Sequence, residues 1–152
     1  MLMGRQLHGL RVKDHYRQRN IGQVNNIIID HSGTILGFII DSDKILSKKL
    51  YLPVKGVKKL SLNGLFIDKN ALQKLPGYGE KALDWCGRLI FDHKGSDIGS
   101  VSDVMLDGYK LTGIEVSSGI LGDLYSGRQI VSWDSIRSSN DRFVEIDNFI
   151  KG

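Results

Sequence analysis

The chain has 152 residues, of which 41% are hydrophobic and 25% charged, and its 21 Lys and Arg outweigh 17 Asp and Glu to give a net charge of +4. This is the composition of an ordinary globular protein, which excludes a disordered chain, and the single cysteine, Cys86, excludes an intrachain disulfide framework or a Cys-rich zinc site. No apolar run approaches the roughly 18 to 20 residues that cross a bilayer, and Arg5 and His8 interrupt the N-terminus before a signal-peptide core can form, so a cytoplasmic location is expected.

In chain order, "DHYRQRN" (14–20) reads as a turn leading into a strand at 22–30, "GQVNNIIID". Gly22 suits a tight turn or a close backbone approach at the start of that strand. Its apolar residues Val24, Ile27 and Ile29 step by three and then by two, where strict alternation would step by two throughout. An extra residue at Asn25-Asn26 therefore predicts a β-bulge that bends the sheet. Asp30 ends the strand and is expected to accept backbone hydrogen bonds in the turn "DHSG" (30–33). The stretch "LYLPVKGVKKLSLNGLFID" (50–68) follows as an apolar couple, a turn, a lone apolar Val57, an Asn63-Gly64 turn and a final alternating run.

Residues 69–86, "KNALQKLPGYGEKALDWC", read as a connector. Pro76, Gly77 and Gly79 bar one long helix, while "EKALDWC" allows a helical turn, with Cys86 expected as a small buried hydrophobe beside Trp85.

After the connector the pattern returns. "DHKGSDIGSVSDVMLD" (92–107) repeats the first strand 77 positions on, pairing Ile21, Gly22, Val24, Asn26, Ile27, Ile29 and Asp30 with Ile98, Gly99, Val101, Asp103, Val104, Leu106 and Asp107. Asp14-His15 match Asp92-His93 if the intervening turn differs by one residue, and Gly37-Phe38 match Gly113-Ile114. The same bulge is expected at Ser102-Asp103, and Gly99 and Asp107 take the roles of Gly22 and Asp30. A duplicated unit of about 65 to 70 residues accounts for this. Turns at intervals of about 8 to 12 residues favour a small barrel or sandwich. The predicted fold is all-β: a first barrel over 1–68, the connector over 69–86 and a second barrel over 87–152.

Chemistry-bearing motifs are scarce. His8, His15, His31 and His93 show no metal-site spacing, and no H-E-x-x-H, C-x-x-C or G-x-S-x-G occurs. His15 and His93 each follow an aspartate, which is at most half a catalytic site, so both are expected to be turn residues. The expectation is therefore a non-enzyme with no catalytic residue, metal, cofactor or small-molecule substrate. "GILGDLYSG" (119–127) lacks the Gly-Lys-Ser/Thr ending of a phosphate loop. Its Leu121, Leu124 and Tyr125 suit either a loop folded over a barrel mouth or a partner contact.

Charge carries most of the functional information. Residues 1–76 hold 13 basic and 5 acidic side chains, a balance of +8, whereas residues 77–152 hold 8 and 12, a balance of −4. Lys44, Lys48, Lys49, Lys55, Lys58 and Lys59 fall within 44–59 with no acid among them. These six are the candidate electrostatic contact to a partner.

The string from Asp92 to Asp107, followed by "LTGIEV" (111–116), resembles the PRC-barrel domain, and the first copy fits the same pattern more loosely. The resemblance implies a small β-barrel of the kind found in the cytoplasmic part of the photosynthetic reaction centre H subunit and in the C-terminal half of the ribosome maturation factor. Its motif consists of glycines, turn residues and apolar positions, so it implies a fold rather than an active site. The transmembrane helix of the one relative and the N-terminal β-domain of the other are expected to be missing here. The function expected is that of a cytoplasmic, non-catalytic adaptor whose two barrels bind a protein partner, with homodimerisation open through a sheet edge. The alternatives are binding of RNA or a ribosomal assembly through the basic first barrel, and peripheral attachment to an anionic membrane surface or membrane complex.

Overall fold

A computed structural model describes residues 1–44, 48–117 and 129–147. The chain divides into two compact units, Leu2–Ala82 and Leu83–Gly152.

The first unit holds β1 (Leu2–Met3), the single turn α1 (Gly4–Leu7), β2 (Arg11–Asp14), β3 (Asn20–Ile29), β4 (Ile35–Ser42), β5 (Lys49–Pro53), β6 (Val57–Ser61), β7 (Gly64–Ile67) and β8 (Glu80–Lys81). Hydrogen-bonded neighbours run β5-β4-β3-β2-β7-β6. The two ends of that path, β5 and β6, are joined directly by the 3-10 turn Val54–Gly56, which curls the sheet into a barrel. All neighbours are antiparallel except β2 and β7, which run parallel with Val12 beside Leu65 and Asp14 beside Ile67.

The second unit holds β9 (Leu89–Asp92), β10 (Asp97–Asp107), β11 (Lys110–Ser117), β12 (Gln129–Ser132), β13 (Ile136–Ser139) and β14 (Phe143–Ile146), in the order β12-β11-β10-β9-β14-β13. This is the first unit's order strand for strand. The parallel pair recurs as β9 and β14, with Ile90 beside Val144, and the end-joining 3-10 turn recurs as Trp133–Ser135.

The cores correspond position by position. Val12, Val24, Ile27, Ile29, Phe38, Ile40, Leu52, Leu65 and Ile67 are all at 1% exposure or less, and their register partners in the second unit, Ile90, Val101, Val104, Leu106, Ile114, Val116, Val131, Val144 and Ile146, are all at 5% or less. Fully burying one such side chain is worth about 1.5 to 3 kcal/mol, so the paired cores dominate the stability of each unit. The expected bulges are present: register shifts between Val24 and Asn26 and between Val101 and Asp103, and Val24, Ile27 and Ile29 share the interior.

Residues 69–82, read as connector from sequence, fold onto the first unit. Tyr51 exchanges backbone hydrogen bonds of 2.9 and 2.8 Å with Gln73, and β8 pairs with β3 at Ile28–Lys81 and Ile29–Glu80. This covers a second small cluster of Ile28, Ile39 and Tyr51, with Leu36, on the outer face of β3, β4 and β5. The expected helical turn is the 3-10 turn Ala82–Trp85.

Two local expectations need correction. Cys86 is exposed, not buried, because the turn that drives Trp85 inward to 2% exposure faces the next residue outward. Gly22 and Gly99 lie within β3 and β10 rather than ahead of them. Gly22 is required by close approach: a Cβ there would overlap the backbone carbonyl oxygen of Asp41 on the neighbouring strand.

Candidate partner-binding surface

The six candidate lysines are all exposed. In chain order Lys44 stands just past β4, Lys48 and Lys49 enter β5, Lys55 lies in the 3-10 turn, and Lys58 and Lys59 are on β6, so they follow the two end strands of the sheet path and the turn that joins them. A backbone bulge between Val57 and Lys59 interrupts the alternation of β6. The two lysines consequently lie over different rings, Lys58 Nζ 6.0 Å from the Tyr16 centroid and Lys59 Nζ 6.0 Å from that of Phe66. Both distances are at the outer limit of a cation–π attraction, so these ammonium groups remain available to solvent or to an anion.

Folding adds an acid that counting along the sequence missed. Asp41 sits opposite Lys49 across the β4–β5 ladder, although one of its oxygens accepts a 3.0 Å hydrogen bond from the Asn25 side chain. Asp43 is occupied by Arg11, at 2.7 Å. The exposed lysines of β5 and β6 thus have Asp41 and Asp43 on the β4 side and Asp68 beside the joining turn, where its N–H donates to Gly56 O at 2.9 Å.

The second unit presents a different surface at equivalent positions. Its parallel pair turns outward Leu89 at 46% and Phe143 at 41% exposure, where the first unit has Arg11 and Gly64. Phe91 packs on Phe143 with centroids 5.8 Å apart, in the place of Lys13. Within that unit Arg137 is tied to Asp147 at 3.4 Å. The two cores match position by position while the surfaces differ, which identifies the charge of the first unit as a property of its surface and not of the fold.

The remaining sequence candidates occupy turns. Asp30 Oδ1 accepts hydrogen bonds from Ser32 N at 2.9 Å, Ser32 Oγ at 2.6 Å and Thr34 N at 3.0 Å. These bonds, the hydroxyl's first, hold its pKa below the ordinary carboxylate value of 3.8 against the opposing effect of burial. Asp107 works differently: it pairs with Lys110 around a two-residue hairpin in which Gly108 takes φ 61, so glycine and not an aspartate cap makes the turn. Leu121, Leu124 and Tyr125 lie outside the described residues.

His15 and His93 are exposed turn residues. His93 borders a shallow groove with Asp92 and Glu145, but the Asp92 carboxylate is engaged by Lys94 N and Ser96 N, each at 2.9 Å. Among the described residues no group of three or more His, Cys, Asp or Glu is placed to hold a metal ion. Cys86 is exposed as a residue but its thiol loses part of its solvent, and this, followed by the negative charge of Asp103, pushes its pKa up, the opposite of what a nucleophilic thiol needs. No helix among the described residues is long and apolar enough to cross a membrane.

Strand order, the paired bulges and the turn-closed sheet define the class: small β-barrels built twice on one plan. Residues 80–149 match the PRC-barrel domain family. The PRC barrel is a general protein-interaction fold. No curated protein sequence matches the chain.

Proposed function

We propose that the protein is a non-catalytic adaptor made of two PRC barrels, the first unit being a diverged second copy of the domain, and that this first unit supplies the electrostatic contact to a protein partner. The observation that carries the reading is the exposed lysine strip on β5, the following turn and β6. By strand register the second unit has Asp134 where the first has Lys55 and Ser138 where it has Lys59, while Arg137, tied to Asp147, stands in the place of Lys58. Like charges held this close repel one another unless solvated or met by an anionic surface. The turn geometry around His15 and His93 and the raised pKa of Cys86 support a role without catalysis.

RNA is the second reading, and the first unit's basic charge favours it. Capture from lysate of the native cell on immobilised protein, with and without nuclease, separates the two. A protein retained by the wild type after nuclease, and lost when Lys48, Lys49, Lys58 and Lys59 are changed together to Gln, supports the adaptor. Capture abolished by nuclease favours RNA, and capture unaffected by the substitutions refutes the role of the strip. His15→Asn and His93→Asn are expected to capture as the wild type does.

A further inference from the structure

The turn between β2 and β3 and the turn between β9 and β10 hold equivalent places and have been built differently. In the second unit Asp92 N donates to Ser96 O at 3.1 Å and Gly95, at φ 83, supplies the left-handed residue. In the first unit the turn is one residue longer: Asp14 N donates to Arg19 O at 2.8 Å, and the left-handed position is filled by Gln18 at φ 57. Gln18 is the only non-glycine residue with positive φ among those described. A left-handed side-chain-bearing residue costs about 1 to 2 kcal/mol, partly offset here by Gln18 Nε2 donating to His15 O at 3.2 Å.

The strained turn lines a cleft of about 330 Å3 with Tyr16, Arg17 and Arg19, faced by Lys69 and Asn70 of the turn that follows β7. Arg17, Arg19 and Lys69 are all exposed. The carboxylates in the cleft are already engaged: Asp14 Oδ1 accepts from Tyr16 N and Asp68 Oδ1 from Asn70 N, each at 3.0 Å. Lys58 reaches the Tyr16 ring from the lysine strip, which makes the cleft a continuation of that strip.

We propose that this cleft is a carboxylate-recognition site that takes an acidic segment of a protein partner, with Arg17 and Arg19 as the forks that grip it. The inference rests on the reading of the first unit as the partner-binding one. Guanidinium groups match carboxylates in paired hydrogen bonds, which a lysine strip alone cannot provide. A nucleic-acid strand fits less well, because Tyr16 is the cleft's lone ring, whereas single strands stack on successive aromatics.

The test is a titration of the full-length, nitrogen-15-labelled protein at about physiological salt with an acetylated hexaglutamate peptide, a hexaglutamine control and a six-nucleotide uridine RNA. The expected result is amide shifts centred on residues 14–20 and 68–70 with hexaglutamate alone, and binding weakened about tenfold or more by Arg17→Gln with Arg19→Gln. Because both arginines are exposed, unchanged resonances elsewhere will show that the variant folds. Shifts confined to β5 and β6, with the arginine variant binding as the wild type, overturn the cleft but leave the adaptor reading standing. Absence of any shift overturns it too, and lysate capture then decides the adaptor reading separately. Tighter binding of the RNA at the same residues overturns it in favour of nucleic acid.

Discussion

Asp30 and Asp92 make the same turn from the same five-residue pattern, "DHSGT" and "DHKGS". In each the aspartate oxygen caps the backbone N–H two and four residues on, and glycine at φ 85 or 83 closes the loop. The Asp30 turn was legible as Asp-capped, but sequence alignment coupled Asp92 to Asp14, its topological equivalent, and hid that its geometric twin is Asp30. Since the folded pKa of Asp30 lies below the unfolded one, its contribution to stability is fully present above the ordinary carboxylate pKa and is lost as pH falls through the folded value. Asp30→Ala should therefore cost about 1 kcal/mol at neutral pH, with the gap to wild type in urea midpoint closing toward pH 3. A gap that stays constant would show that the charge is irrelevant. At Gln18 no sequence signal marks the left-handed backbone, because glutamine gives none. Gln18→Gly should raise stability by about 1 kcal/mol, read as a higher denaturation midpoint.

At the scale of the strand, the step of three and then two in Val24, Ile27 and Ile29 and in Val101, Val104 and Leu106 was enough to locate both bulges. The sequence does not reveal how each bulge is satisfied. Asn26 and Asp103, at 5% and 3% exposure, turn their own Oδ1 back onto the next backbone N–H, Ile27 and Val104, each at 2.8 Å. A buried donor that the displaced ladder leaves over is thus met by a side chain, which explains why the position is an amide in one copy and a carboxylate in the other. Asn26→Ala should cost about 1 to 3 kcal/mol by stranding that donor. Asn25→Ala, which removes only the half-buried bond to Asp41, should cost about 1 kcal/mol or less. Equal losses in chemical denaturation would remove the capping role. A second register shift in each long strand, at Ile28/Ile29 and Met105/Leu106, went unread because it falls where apolar residues run without alternation.

At the scale of the molecule, the repeat was legible because glycines, bulges and core positions are fixed by backbone geometry. The surfaces were less so: charge can be counted along the chain, but Asp41 opposite Lys49 and the cleft between residues 14–20 and 68–70 exist only through strand pairing. Arg17 and Arg19 looked like ordinary turn residues for the same reason. What the shared strand order adds is an internal control. Two barrels of one plan carry balances of +8 and −4 over residues 1–76 and 77–152, so each serves as the reference for the other. The central claim, that the first unit alone makes the electrostatic contact, is tested most directly by titrating the captured partner at rising salt. The proteins compared are the wild type, the variant with Lys48, Lys49, Lys58 and Lys59 changed to Gln, and a variant with Lys94, Lys110, Arg137 and Arg142 changed to Gln. Wild type and the second-unit variant should lose affinity steeply as salt rises, and the first-unit variant should bind weakly with a much shallower salt dependence. Equal affinities and equal salt slopes for all three would contradict the account.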